Sequence, residues 1–204
     1  MRKLSLIASC ASFAALLAGH SALLAQKAPA NEKAPETYRV NLDLSTGPVV
    51  VEVTRSLAPN GADRFYNLVR AKFFDGARFF RVVPGFMAQF GLAADPKVSQ
   101  AWDVNIQDDP VHTTNARGTL TFAATGAPNS RSTQLFINFA DNKFLDSQRF
   151  APFGKIVSGM ENVDKIYSGD RERPDQGRIT AEGNAYLQKE FPNLDYIKTA
   201  RIGQ

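Results

Sequence analysis

Phe79-Phe80-Arg81-Val82-Val83-Pro84-Gly85-Phe86-Met87-Ala88-Gln89-Phe90-Gly91 sets one arginine and one glutamine within a run of large apolar residues. Pro84-Gly85 is a turn signal, and its flanks, 79–83 and 87–91, read as two short strands. A core strand pair from which Arg81 snorkels to water accounts for the apolar residues. It does not account for Arg81, Phe86, Met87 and Gln89 gathered beside one exposed turn. The stretch therefore reads both as part of a β-sheet and as a candidate site.

On either side of this stretch the chain is rich in short strands. Residues 38–44 alternate apolar and polar, Ser45-Thr46-Gly47 turns, and the valine-rich Val49-Val50-Val51-Glu52-Val53 follows, which predicts a hairpin. Asn60 is expected to cap a helix with Phe65, Leu68 and Val69 on one face and Phe73 near its end. Further strands are predicted over 119–123, 134–139, 153–156 and 196–202, with a polar loop over 125–133. A helix is expected over 160–167, with Val163, Ile166 and Tyr167 as its apolar face, and a short one over 180–191. The turn-rich stretch 93–115, with Asp95-Pro96 and Asp109-Pro110, reads as a lid, a contact loop or a packed surface excursion. Many short strands and few helices predict a single-domain β-barrel or sandwich.

The first residues have another logic. Arg2-Lys3, the apolar stretch 4–17 and the small residues Gly19, Ser21, Ala22 and Ala25 follow the order of a secretory signal. The apolar stretch is shorter than the ~20 residues of a membrane-spanning helix. The expected organisation is a signal at 1–25, cleaved between 22 and 30, a flexible tether at 26–36, and one domain over 37–204. The expected location is exported, periplasmic or otherwise extracytoplasmic, with no stable membrane insertion after cleavage. Ile7-Ala8-Ser9-Cys10 matches a lipoprotein box by letters, but the apolar stretch runs on past it.

Composition narrows the chemistry. The 204 residues are 44% apolar and 22% charged, with a net charge of +4 and no dense Lys/Arg run, which argues against nucleic acid as a partner. One cysteine and two histidines, His20 and His112, cannot build a Cys/His zinc cluster or a disulfide framework. There is no phosphate-binding Gly-rich loop and no nucleophile elbow. His112 reads as a loop histidine, and Asp108-Asp109 before Pro110 as a solvated turn. The composition favours chemistry that needs neither metal nor nucleophile, and no cofactor is expected.

Three ordered blocks carry a resemblance. The first is 79–91, from Phe79 to Gly91. The second is Arg117-Gly118-Thr119-Leu120-Thr121-Phe122-Ala123 followed by Ser132-Thr133-Gln134-Leu135-Phe136-Ile137-Asn138. The third is Phe144-Leu145-Asp146 followed by Phe153-Gly154-Lys155-Ile156. Together with Ala58-Pro59 and Tyr66-Asn67-Leu68-Val69, the chain over 38–202 resembles the cyclophilins, peptidyl-prolyl cis-trans isomerases. The resemblance implies a mainly β fold, a closed eight-stranded antiparallel barrel capped by two α-helices, with the site on an outer face.

It also implies roles. Arg81 matches the family's catalytic arginine, with Phe86 and Gln89 beside it. Phe86, Met87, Phe136 and Leu145 match the walls of a proline pocket, and Gln89 and Gln134 its polar groups. Ala123 or Ala124, with Thr125, falls where the peptide-binding loop runs. Phe144 stands where many eukaryotic members have a tryptophan that contacts cyclosporin, and Arg149 or Phe150 where a histidine is common. Phe80 replaces another common histidine, and Phe90 and Leu92 a glycine and an aspartate. The implied partners are proline-containing segments of unfolded or folding proteins, with cyclosporin bound weakly, and the expected state is a monomer. A non-catalytic module that binds proline segments is the alternative, and Arg81 favours the enzyme because a pure binder needs no transition-state donor.

Overall fold

The computed structural model describes residues 31–203. The signal read at 1–25, its cleavage window and Cys10 lie outside the described residues. The expected hairpin pairs β1 (Thr37–Leu44) with β2 (Gly47–Thr54) from Thr37↔Thr54 to Leu44↔Gly47. Burial alternates strictly along β1, so Tyr38, Val40, Leu42 and Leu44 enter the core while their neighbours face water. Residues 31–36, within the expected tether, are fastened to the first helix, α1 (Pro59–Arg70). The Glu32 amide donates to Asn67 Oδ1 at 3.1 Å, and the Ala34 amide to Asp63 Oδ1 at 2.8 Å.

The chain continues through β3 (Arg81–Val83), β4 (Met87–Phe90), α2 (Pro96–Trp102), β5 (Thr119–Phe122), β6 (Leu135–Asn138) and β7 (Pro152–Ser158). It ends with α3 (Met160–Val163), α4 (Gln176–Glu182), α5 (Asn184–Glu190) and β8 (Ile197–Ile202). The eight strands form one antiparallel sheet in the order β3-β4-β6-β5-β7-β2-β1-β8. The sheet curls until the segments leading into its two edge strands meet. Phe79 donates to the Asp195 carbonyl and Ile197 to the Ala77 carbonyl, both at 2.9 Å. Phe65 and Leu68 of α1, Val163 of α3 and inward residues such as Phe90, Phe122 and Phe153 fill the interior. Phe65, Phe122 and Phe153 pack ring against ring, with centroids 5.6 Å (Phe65–Phe153) and 5.4 Å (Phe122–Phe153) apart.

Several local expectations are corrected. Asn60 does not cap α1: Pro59 holds the first helical position, which suits its fixed φ and missing N–H. The free amides of Asn60 and Gly61 are instead taken by the Asp109 carboxylate, at 3.0 and 2.9 Å. Asp109 is therefore no solvated turn residue; it is 5% exposed and also accepts from Arg131 Nη1 at 3.0 Å. Five α-helices occur among the described residues. Within 93–115, Asp95 caps α2 by accepting from the Lys97 amide, and Trp102 packs on Phe73. That stretch is a packed excursion, tied down where Ile106 bridges to Arg131. Only the first turn of 160–167 is helical, although Val163 and Ile166 reach the core. The helix expected over 180–191 is two helices broken at Gly183, whose φ is +59°; a Cβ there would stand 2.4 Å from the Ala94 carbonyl oxygen.

A second apolar cluster lies outside the main core. Phe80 and Leu92 meet Ile179, Tyr186, Leu187, Phe191 and Leu194 there. The two replacements noted at 80 and 92 are thus the socket into which α4 and α5 dock.

Candidate active site

The sheet's period of two builds the site. On β4, Ala88 and Phe90 point into the core, so Met87 and Gln89 point out. On β6, Leu135 and Ile137 point in and Phe136 points out. On β3, Val82 points in, leaving Arg81 on the outer face. Register then aligns them: Arg81 lies opposite Gln89, and Gln89 opposite Phe136. An arginine, a glutamine and a phenylalanine from three strands so form one row. Gly91 lets β4 and Gln134 come this close: its φ is +106°, and a Cβ would meet the Thr133 carbonyl oxygen at 2.3 Å.

Around this row is a cavity of about 310 Å³. Arg81, Phe86, Met87, Gln89, Ala123, Ala124, Thr125, Gln134, Phe136, Leu145 and Phe150 all line it, so eleven of the twelve residues singled out from the sequence meet in one place. Both alanines and Thr125 contribute. Phe144 does not line the cavity. It is 55% exposed and stacks on Phe86 at the rim, with ring centroids 5.8 Å apart. Of the two candidates at 149–150, Phe150 enters the cavity and packs edge-on against Phe136. Arg149 turns away, with φ +68° and Nη2 donating to the Gly126 carbonyl at 3.3 Å. His112 is exposed and outside the cavity.

Two of the walls, Phe86 and Leu145, are held from behind. The Phe86 amide closes the Pro84-Gly85 turn onto the Val83 carbonyl at 3.0 Å, and the Phe86 carbonyl accepts from Phe139 N and Asn142 Nδ2, both at 2.9 Å. Leu145 sits on a 3-10 turn, Lys143–Gln148, anchored by Asp146. Asp146 accepts from Thr114 Oγ1 at 2.7 Å and from the backbone and side-chain nitrogens of Asn115 at 2.9 and 2.8 Å. Burial pushes the Asp146 carboxyl up, but these hydrogen bonds outweigh it and hold the group below the usual carboxylate range. The site's polar side is a chain: Arg81 Nη1 donates to Gln89 Oε1 at 3.2 Å, and Gln89 Nε2 to Gln134 Oε1 at 2.8 Å.

Sequence reasoning missed Ser130, Ser132 and Gln176, which also line the cavity, and Glu172, whose Oε1 accepts from Arg81 Nε at 2.6 Å. The serines lie in the polar loop 125–133, which flagged a loop without distinguishing its members. Glu172 and Gln176 come from a distant segment with no local signal. Among the described residues, no group of three or more His, Cys, Asp or Glu stands together to hold a metal ion. The arrangement is an apolar pocket with one permanently charged, multi-donor group at its edge.

Comparison with known proteins gives the family. The family model described as cyclophilin type peptidyl-prolyl cis-trans isomerase/CLD matches residues 39–183. A peptidyl-prolyl cis-trans isomerase of Acinetobacter baylyi is 37% identical over 132 residues, covering 62% of this chain and 70% of the relative. Peptidyl-prolyl cis-trans isomerase B of Escherichia coli is 33% identical over 166 residues, covering 78% and 94%. A crystal structure of a cyclophilin-type isomerase from Cryptosporidium parvum shares the fold, with a TM-score of 0.64 at 20% identity over 82% of this chain and 98% of that one. The chain belongs to the cyclophilin-type peptidyl-prolyl cis-trans isomerases. It is an enzyme that rotates X–Pro peptide bonds.

Proposed function

We propose that this protein binds proline-containing segments of exported polypeptides in the 310 Å³ pocket and speeds their folding outside the cytoplasmic membrane, with Arg81 as the transition-state donor. The observation that carries the site assignment is the meeting of the Arg81 guanidinium with the apolar walls Phe86, Met87, Phe136 and Leu145. A Cryptosporidium parvum cyclophilin was crystallised in the presence of the dipeptide Ala-Pro, with a TM-score of 0.63 to this chain, which supports a proline-sized guest for this fold.

Amide resonance makes the X–Pro bond resist rotation, so uncatalysed exchange takes tens to hundreds of seconds. At the twisted geometry resonance is lost and the proline nitrogen regains its lone pair. No covalent bond breaks, so neither nucleophile nor general base is needed. A donor aimed at that nitrogen stabilises the twisted state more than either planar isomer. Nη1 of Arg81 gives one N–H to Gln89 and keeps a second for this purpose. Phe86, Met87, Phe136 and Leu145 hold the pyrrolidine ring and exclude water, while Gln89 and Gln134 offer polar partners to the peptide backbone. The segment before proline is then the part that turns.

Exchange spectroscopy on an Ala-Pro peptide tests the assignment. Catalytic amounts of the protein are expected to broaden and merge the cis and trans resonances. Separate, sharp resonances with the protein present would contradict it.

A further inference from the structure

Glu172 belongs to none of the motifs that mark the site, yet it is delivered to Arg81 by a fixed backbone. The Arg171 carbonyl accepts from the amide of Val82, the residue after Arg81, at 3.1 Å. Asp170 Oδ1 accepts from Arg173 Nη1 at 2.9 Å. Asp175 caps α4 through the Arg178 amide at 2.8 Å, and its own amide donates to the hydroxyl of Tyr186 at 3.1 Å. Tyr186 is buried in the cluster that holds Phe80, the residue before Arg81. The loop is thus pinned to the strand that bears the arginine.

At the end of this frame, Arg81 Nε donates to Glu172 Oε1 at 2.6 Å, and Nη2 lies 2.5 Å from the same oxygen. The carboxylate takes the back edge of the guanidinium and leaves Nη1 to Gln89 and the pocket. From this geometry we infer that Glu172 is a positioning residue for catalysis: it fixes the fork of Arg81 so that Nη1 faces the proline nitrogen. The inference rests on the reading of Arg81 as the transition-state donor.

Two effects of the carboxylate oppose each other. It orients a long side chain that otherwise samples many rotamers, and a donor displaced by an ångström loses much of its effect. It also partly neutralises the charge. Glu172 is 57% exposed and does not line the pocket, so water screens that second effect and orientation prevails. The same exposure means that replacing Glu172 leaves the fold intact.

The test separates kcat from KM by peptide exchange for the parent, Glu172→Ala, Glu172→Gln, Arg81→Ala and the Arg81→Ala/Glu172→Ala pair. Glu172→Ala is expected to lower kcat roughly three- to tenfold with KM within about twofold. Glu172→Gln keeps an acceptor oxygen and is expected within about twofold of the parent kcat. In the Arg81→Ala background, Glu172→Ala is expected to change nothing further. A Glu172→Ala variant with parental or raised kcat, or an equal loss with and without Arg81, would overturn the positioning role. If Arg81→Ala is itself silent, the reading of Arg81 fails instead, and the two failures are told apart.

Discussion

Arg131 and Asp109 form an enclosed ion pair, with Nη1 and Oδ2 3.0 Å apart and each side chain 2% exposed. The pair does more than neutralise itself. The same Asp109 carboxylate receives the first amides of α1, and Arg131 also donates to the Gln107 carbonyl. It therefore joins the start of α1 to the excursion before β5 and to the loop beside the pocket.

Asp109→Ala is expected to destabilise the protein by about 3–5 kcal/mol, because it strands a buried guanidinium and two helix-terminal amides. Urea unfolding of parent and variant reads this directly. A loss below about 1 kcal/mol would mean that water or a rearranged Asp108 replaces the carboxylate.

Acid should weaken the fold through a second group of carboxylates. Burial raises Asp63, but hydrogen bonds from Arg55 and the Ala34 amide, with the Arg55 charge, prevail and lower it. Asp75 is likewise lowered, its burial outweighed by Arg201 and the Ala200 amide, and Asp146 by Asn115 and Thr114. Their folded-state values lie below the unfolded ones, so the unfolded chain binds more protons in acid. The stabilisation is present above the unfolded carboxylate value of about 3.9 and is lost as pH falls through the folded values. Urea midpoints at pH 7, 4 and 3 are expected to fall between the last two, and less steeply in Asp63→Asn.

Residues 79–91 announce most of the site because period-two alternation, a Pro-Gly turn and an out-of-place arginine are all local signals. Alternation along β1 and the turn at Ser45-Thr46-Gly47 predict the hairpin for the same reason. What escaped was set by distant partners. Asn60 has the chemistry of a cap, but Asp109, 49 residues away, supplies it. Phe80 and Leu92 stood out as departures from the family pattern, and only the docked α4 and α5 give them a use. Glu172 meets Arg81 across 91 residues of sequence, and nothing around it marks the encounter. The break at Gly183 depends on the Ala94 carbonyl, which no local window contains.

Cyclosporin is expected to bind weakly. Phe144 stacks on Phe86 at the rim with no donor to offer, where an indole would add an N–H and a larger face. Phe144→Trp should raise cyclosporin affinity by roughly 0.5–1.5 kcal/mol or more while peptide exchange stays within a few-fold of the parent. Titration calorimetry and exchange on the same pair give both values. Unchanged affinity would place inhibitor control elsewhere, with the phenylalanine at 150 the next position to vary.

Export predicts a shortened mature chain. Arg2-Lys3, the apolar 4–17 and the small residues that follow are expected to direct removal of the segment ending between 22 and 30. Mass spectrometry of the protein from fractionated native cells should find it outside the cytoplasm with the new N-terminus. A full-length chain confined to the cytosol would refute export.

The most direct measurement is kcat/KM for X–Pro exchange in Arg81→Ala, with circular dichroism on the same sample. A loss of at least about tenfold, or about 1.4 kcal/mol of transition-state stabilisation, is expected, with an unchanged spectrum and peptide affinity within a few-fold of the parent. Equal exchange rates with an intact fold would contradict the role given to Arg81.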